Sequence, residues 1–169
     1  MKSVIHNKKN LLYFNNNIVK ELKAMAIKSL KKKSRICCHI DIKDKTHEMI
    51  IVLMKDSYVR PHIHPSNKSE SYMVISGKMS VLIFDNRGKI KKIINLGNCS
   101  SGKNFYYRTS KCYWHMPLAT SKYCVYHETY SGPFVKNKDV KYASWAPDES
   151  DLFKAQSYIK NLKKKITNG

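Results

Sequence analysis

The chain has 169 residues, enough for one domain with a core of its own. Its 32 Lys and Arg against 12 Asp and Glu leave a formal net charge of +20, yet no apolar stretch approaches the ~20 residues that a membrane helix needs. The five cysteines, Cys37, Cys38, Cys99, Cys112 and Cys124, contain no CxxC pair, which argues against a cysteine-rich zinc site and for reduced, mostly buried thiols in a cytoplasmic protein.

Met1 to Asn10 is polar and basic and reads as a loose arm. The apolar run Leu11–Phe14 is too short for the core of a signal peptide. Asn15, Asn16 and Asn17 offer caps for a helix running to about Lys33. Ile18, Leu22, Met25, Ala26, Ser29 and Leu30 give it one apolar stripe for packing on the outside of a sheet.

From Arg35 the period changes to two. Strands are expected at Ile36–Ile42, Glu48–Met54, Tyr58–His64, Glu70–Ser76, Lys78–Phe84, Lys89–Leu96, Asn104–Arg108, Cys112–His115 and Lys122–Tyr130. Asp85-Asn86-Arg87-Gly88 marks a hairpin turn, and Ser131-Gly132-Pro133 closes the last strand. Many short strands with frequent turns indicate a sandwich or small barrel. A second helix is expected from Pro147 to Lys165, with Leu152, Phe153, Ala155, Tyr158, Ile159 and Leu162 as its apolar stripe. Acidic Asp148, Glu149 and Asp151 suit its start, and Lys163–Lys165 its end. The plan is one domain overall: residues 1–34 as arm and helix, 35–146 as β-barrel, 147–169 as C-terminal helix.

The chemistry concentrates between Arg60 and Gly77. Alternate residues of a strand share a face, so Arg60, His62 and His64 should point the same way. Two imidazoles on one face can grip one ion, and Glu70, opening the next strand, can be a third ligand. His115 is the best fourth candidate, from a distant strand. Three imidazoles and a carboxylate suit a first-row divalent ion such as iron, manganese, nickel, cobalt or zinc. His6, His39, His47 and His127 are read as ordinary histidines, although His39 and His127 lie on strands that could line a pocket.

Around this cluster, Arg60 is a candidate anchor for an anionic group, with an internal ion pair as the competing reading. Glu128, Tyr126 and Tyr130 share one strand face, and Tyr72 shares the Glu70 face. Glu128 is a candidate general base and Tyr72 and Tyr130 are candidate proton-moving groups, with Tyr126 read as core. Lys68 sits in the loop at the barrel mouth, where it either contacts ligand or is merely solvated. Tyr106-Tyr107-Arg108 has an aromatic and basic look, but one aromatic in and one out is the commoner meaning, so nucleic acid is disfavoured as a partner.

His62-x-His64, Glu70 and Gly77 resemble the first motif of the cupin superfamily. Of its second motif only Gly97 and His115 have counterparts, and the proline-glycine pair is absent. A wider set resembles the WbuC family of cupin-fold metalloproteins: Tyr58–Pro65, Asn67-Lys68-x-Glu70, Phe84-Asp85-x-x-Gly88, Trp114-His115, Glu128-x-x-x-Gly132-Pro133 and Ala143–Pro147. That resemblance implies a cupin-type β-barrel or jelly roll with one bound divalent transition metal. It also implies a link to bacterial surface polysaccharide, notably lipopolysaccharide O-antigen, and so to a sugar or nucleotide-sugar. It implies no particular reaction. A metal-dependent isomerase or epimerase, an iron-dependent dioxygenase, and a non-catalytic sugar- or anion-binding module all stay open, and a homodimer is compatible with the fold.

Overall fold

A computed structural model describes residues 2–167. In chain order it contains β1 (Val4–His6), α1 (Asn16–Lys28), β2 (Lys33–Cys37), β3 (Thr46–Met54), β4 (His62–Ile63), β5 (Glu70–Phe84), β6 (Ile90–Gly97), a 3-10 turn (Cys99–Ser101), β7 (Tyr106–Thr109), β8 (Trp114–Ser131), α2 (Lys136–Asp139), β9 (Lys141–Tyr142) and α3 (Leu152–Thr167). The strands make one mixed sheet in the order β1-β2-β3-β8-β4-β9, with β5 pairing β6, β7 and β8. The expected jelly-roll core with a helix at each end is present, although the sheet does not close edge to edge.

Two long strands hold both halves together. β5 and β8 pair from Glu70↔Tyr130 at one end to Phe84↔Trp114 at the other, with register shifts around Val74/Ser76 and Gly77/Met79. A bulge of this kind bends the ribbon. Gly77 sits at the bend with φ +84, and a Cβ there would lie 2.2 Å from the Tyr123 carbonyl oxygen. Sequence breakers at Gly77 and Pro117 suggested four separate strands. The paired neighbours keep each strand continuous instead.

The inner faces of the two halves share one core, including Ile51, Leu53, Tyr72, Val74, Met79, Val81, Leu96 and Tyr126. The helices seal the outer faces. α1 begins at Asn15, whose side chain accepts from the Asn17 backbone N–H, and it buries Leu22 and Ala26 against Ile36, Val52 and Val125. α3 lays Ala155, Ile159 and Leu162 on Leu82, Phe84, Met116 and Leu118 of the other half. At ~25 cal/mol per Å² of apolar surface removed from water, such seams are the main stabilising contribution of the helices.

Several boundaries differ from expectation. The loose arm contains β1, which pairs parallel with β2 through Val4↔Arg35. α1 ends at Lys28, because the Ser29 N–H closes it on the Met25 carbonyl and Lys32 turns the chain at φ 53. Leu30 and Phe153, read as stripe residues, are 82% and 86% exposed, since Leu30 lies beyond the end of α1 and Phe153 lies off the packed face of α3. Strand Tyr58–His64 shrinks to His62–Ile63, because Arg60 and its neighbours bond to the segment around residues 143–149 rather than to a sheet. All five cysteines are free; Cys99 and Cys112 are exposed rather than buried. No helix among the described residues is long and apolar enough to cross a membrane.

Candidate metal centre

β4, β5 and β8 each deliver part of one cluster. His62 pairs with His115 across β4 and β8, and Ile83 pairs with His115 from β5. Glu70 opens β5 beside Tyr130. One ligand atom from each of His62, His64, Glu70 and His115 lies within 4.8 Å of the others, and the cluster is almost wholly enclosed. His115 Nε2 is 2.9 Å from Glu70 Oε2, and His64 Nε2 is 3.4 Å from Glu70 Oε1. The spacing on the sequence and the fold thus bring the same four residues together.

The orientation of the rings is fixed from behind. Nδ1 of His62 faces the Arg60 carbonyl at 2.9 Å, that of His64 the Asp139 carbonyl at 2.7 Å, and that of His115 the Tyr113 carbonyl at 2.8 Å. A carbonyl only accepts, so each Nδ1 carries the proton and each Nε2 presents a lone pair inward. Inside the cluster His64 Nε2, Glu70 Oε2 and His115 Nε2 are buried with no hydrogen-bond partner. Buried polar atoms without partners are costly. A cation at the convergence point would satisfy all of them at once, and these residues could hold one.

The charges conform to this crowding. Burial, then the neighbouring His115 charge, pushes His62 down to about 3, so it stays a neutral ligand. Burial would raise Glu70, but His115 and His64 outweigh it and hold the carboxyl well below the usual range. For His115, burial lowers the pKa and the Glu70 carboxylate more than restores it, leaving it raised.

The surrounding candidates divide into two groups. Glu128 pairs with Tyr72 across β8 and β5, one row along the inner face from Glu70 and Tyr130. Burial, then the Glu70 charge, pushes Glu128 up to about 8. Tyr72 is core-buried at 1% exposure against Tyr107 and Tyr126. The Tyr130 ring sits 4.7 Å from that of His64, with its hydroxyl donating to the Asp139 carbonyl at 3.3 Å.

Arg60 and Lys68, by contrast, are turned to structural work. The Arg60 guanidinium donates through Nε and Nη2 to the Ala143 carbonyl and pairs with Asp148 at 2.7 Å, so it does not face the cluster as expected. The competing reading, an internal ion pair, is the one that appears, with Asp148 as the partner. Lys68 Nζ donates to the Ser131 and Pro133 carbonyls and lies 3.6 Å from Asp139. His127 lies toward Glu48 on the outer face, and His39 stacks on His47. Asp139 was missed by sequence reasoning. Its carboxylate accepts from the Val135 N–H, and its carbonyl orients His64. No local pattern marks a backbone carbonyl 75 residues from its partner.

Comparison with known proteins agrees on the architecture. A family model described as a domain of unknown function, DUF6016, matches residues 14–96. No curated protein matches the chain. A crystal structure of a protein from Shewanella oneidensis superposes over 85% of this chain and 98% of its own, with a TM-score of 0.56 at 9% identity. An uncharacterized conserved protein with a double-stranded β-helix domain from Klebsiella pneumoniae covers 68% of this chain and 82% of its own, at a TM-score of 0.52 and 11% identity.

The fold is a cupin fold. An HTH_3 family transcriptional regulator from Vibrio cholerae matches at a TM-score of 0.45 and 15% identity over 60% of this chain. This chain spans 52% of that regulator's length, and 25% of the length of an oxalate decarboxylase from Bacillus subtilis.

Proposed function

We propose that this chain is a cupin-fold metalloprotein that holds one divalent first-row ion on His62, His64, Glu70 and His115 and uses it to bind or convert a small polar ligand. One observation carries the reading: three imidazoles, two buried and one nearly so, have Nδ1 facing carbonyls, and one ligand atom of each lies within 4.8 Å of the others and of a Glu70 oxygen. Three neutral nitrogens and one carboxylate match iron(II), manganese, nickel, cobalt or zinc. The ion, when bound, would polarise a carbonyl or hydroxyl of the ligand.

The chain's own residues supply the rest. Glu128, raised to about 8, can hold or release a proton near neutral pH on the inner face one row from Glu70. Tyr72 and Tyr130 flank it as candidate proton-moving hydroxyls. A sugar or nucleotide-sugar of surface-polysaccharide synthesis is the ligand we favour, on the motif resemblance around Tyr58–Pro65 and Ala143–Pro147. Binding without turnover is a second reading, favoured by Tyr130, whose hydroxyl is already engaged with Asp139.

Thermal unfolding of chelator-treated protein, with and without each metal, tests the metal reading. An ion at ~1,000 times its Kd stabilises by ~4 kcal/mol, a rise in Tm of ~8–16 °C for a chain of this size. The rise should vanish in His64→Ala. No rise with any of the five ions would overturn the reading. Assay of the loaded protein on nucleotide-sugars then separates turnover from saturable binding.

A further inference from the structure

Arg35 is the feature of the inner face that neither the motif nor the cluster accounts for. β2 alternates. Ser34 and Ile36 turn to α1, where Ser34 Oγ donates to the Leu22 carbonyl at 2.6 Å and Ile36 packs on Leu22 and Ala26. Lys33, Arg35 and Cys37 therefore face the other way, into the fold. Across the sheet Arg35 pairs with Ile51, which pairs with Tyr126, and Cys37 pairs with Met49, which pairs with Glu128. Glu128 is then one row from Glu70. Arg35 therefore shares a face of the sheet with Glu128, with Ile51, Met49 and Tyr126 packed between them.

The Arg35 charge is felt on this face, as it is at Lys33, His39 and Tyr142. The Glu128 carboxyl is acted on by both Glu70 and Arg35, and so is the Tyr126 hydroxyl. Burial pushes the Cys37 thiol up while the Arg35 guanidinium beside it pulls the other way.

The other cation of the strand is occupied. Lys33 Nζ is held by Glu149 and the Tyr58 carbonyl. Arg35 is exposed, and no described carboxylate lies within 4.0 Å of it. An inward guanidinium that touches the Cys37 thiol but has no carboxylate partner still presents a planar fork of donors, the geometry that pairs with a carboxylate or phosphate through two bonds.

We propose that Arg35 anchors an oxyanion group, carboxylate or phosphate, of the ligand that approaches the histidine cluster. This deepens the metal reading by naming the ligand as anionic, and it rests on that reading only for what the rest of the ligand meets. It also transfers to Arg35 the anchoring role that sequence alone gave to Arg60.

Calorimetric titration of inorganic phosphate and of malonate into metal-loaded and chelator-treated protein tests it, with metal content measured on the same samples. At least one anion should bind saturably, and which one distinguishes phosphate from carboxylate. Arg35→Gln should weaken that binding at least tenfold with metal content unchanged. Arg35→Lys should weaken it too, since the ammonium keeps the charge but loses the fork. Arg87→Gln, in an exposed hairpin turn, should bind as wild type.

Absence of saturable binding, or wild-type affinity in Arg35→Gln, would overturn the proposal. Equal weakening in Arg87→Gln would also overturn it, because general attraction to a +20 chain would then explain the binding. Protein that takes up no metal on loading but retains Arg35-dependent binding would support the anchor while refuting the metal reading.

Discussion

Replacing Gly77 by alanine tests how the fold assembles the centre. Glu70 lies in one half of the sheet and His115 in the other, and β5 passes between the halves at Gly77. An alanine there meets two penalties. The first is backbone conformation: at φ +84 a side chain costs about 1–2 kcal/mol. The second is collision. The new Cβ would lie 2.2 Å from the Tyr123 carbonyl oxygen and 3.2 Å from the Cys124 Cα, both backbone atoms of the paired strand. Forcing β5 and β8 apart adds about 1–3 kcal/mol.

Gly102→Ala is the control. Its φ is +67, but a Cβ there meets nothing within 4 Å, so only the first penalty applies. Urea unfolding should therefore show Gly102→Ala losing about 1–2 kcal/mol and Gly77→Ala losing about 2–5 kcal/mol. Metal affinity should fall in Gly77→Ala alone, because only that change displaces Glu70 relative to His115. Equal losses in the two variants, with equal metal affinity, would refute the reasoning.

Asp139→Ala should weaken metal affinity by ~10–100-fold, as loss of a group that orients a ligand does, because the Val135 tether that holds the carbonyl facing His64 is gone; a competition titration with a chromogenic chelator would measure it. Arg60→Ala should cost about 1–3 kcal/mol of stability through the lost bonds to Ala143 and Asp148 while leaving anion affinity unchanged, read by urea unfolding and calorimetry. Acid should destabilise the metal-free protein. Because folding depresses His62 to about 3 from an ordinary value near 6.5, the unfolded chain takes up a proton that the folded chain refuses. That contribution is present above pH ~6.5 and is lost as pH falls toward 3, at up to about 1.4 kcal/mol per pH unit. Urea unfolding between pH 7 and 4 should show a shallower loss in His62→Gln than in wild type.

Much of this was legible in the residues because strand periodicity is local. Two histidines one residue apart share a face wherever the backbone is extended, and Glu70 and His115 sit at or next to the start of strands that pair beside them. The cluster needed only correct pairing of three strands. Arg35 was not legible for the converse reason. Period two says that Arg35 and Ile36 face opposite ways, and only the placement of α1 over Ile36 decides which way is inward. For Arg60 the residues left an anion anchor and an internal ion pair both open, because its partners, Ala143 and Asp148, are 83 and 88 residues away on an irregular segment. Breakers misled in the same way. Gly77 and Pro117 end a strand in isolation, but here each sits opposite a paired partner strand that carries the ladder past it.

The central claim is that His62, His64, Glu70 and His115 hold an ion together. Elemental analysis of protein purified without chelator, comparing wild type with the His62→Ala/His64→Ala double variant, tests it most directly. The expected result is roughly one divalent transition-metal ion per wild-type chain, and less than about a tenth of that in the folded double variant. Equal metal content in the two proteins, whether high or negligible, would contradict it.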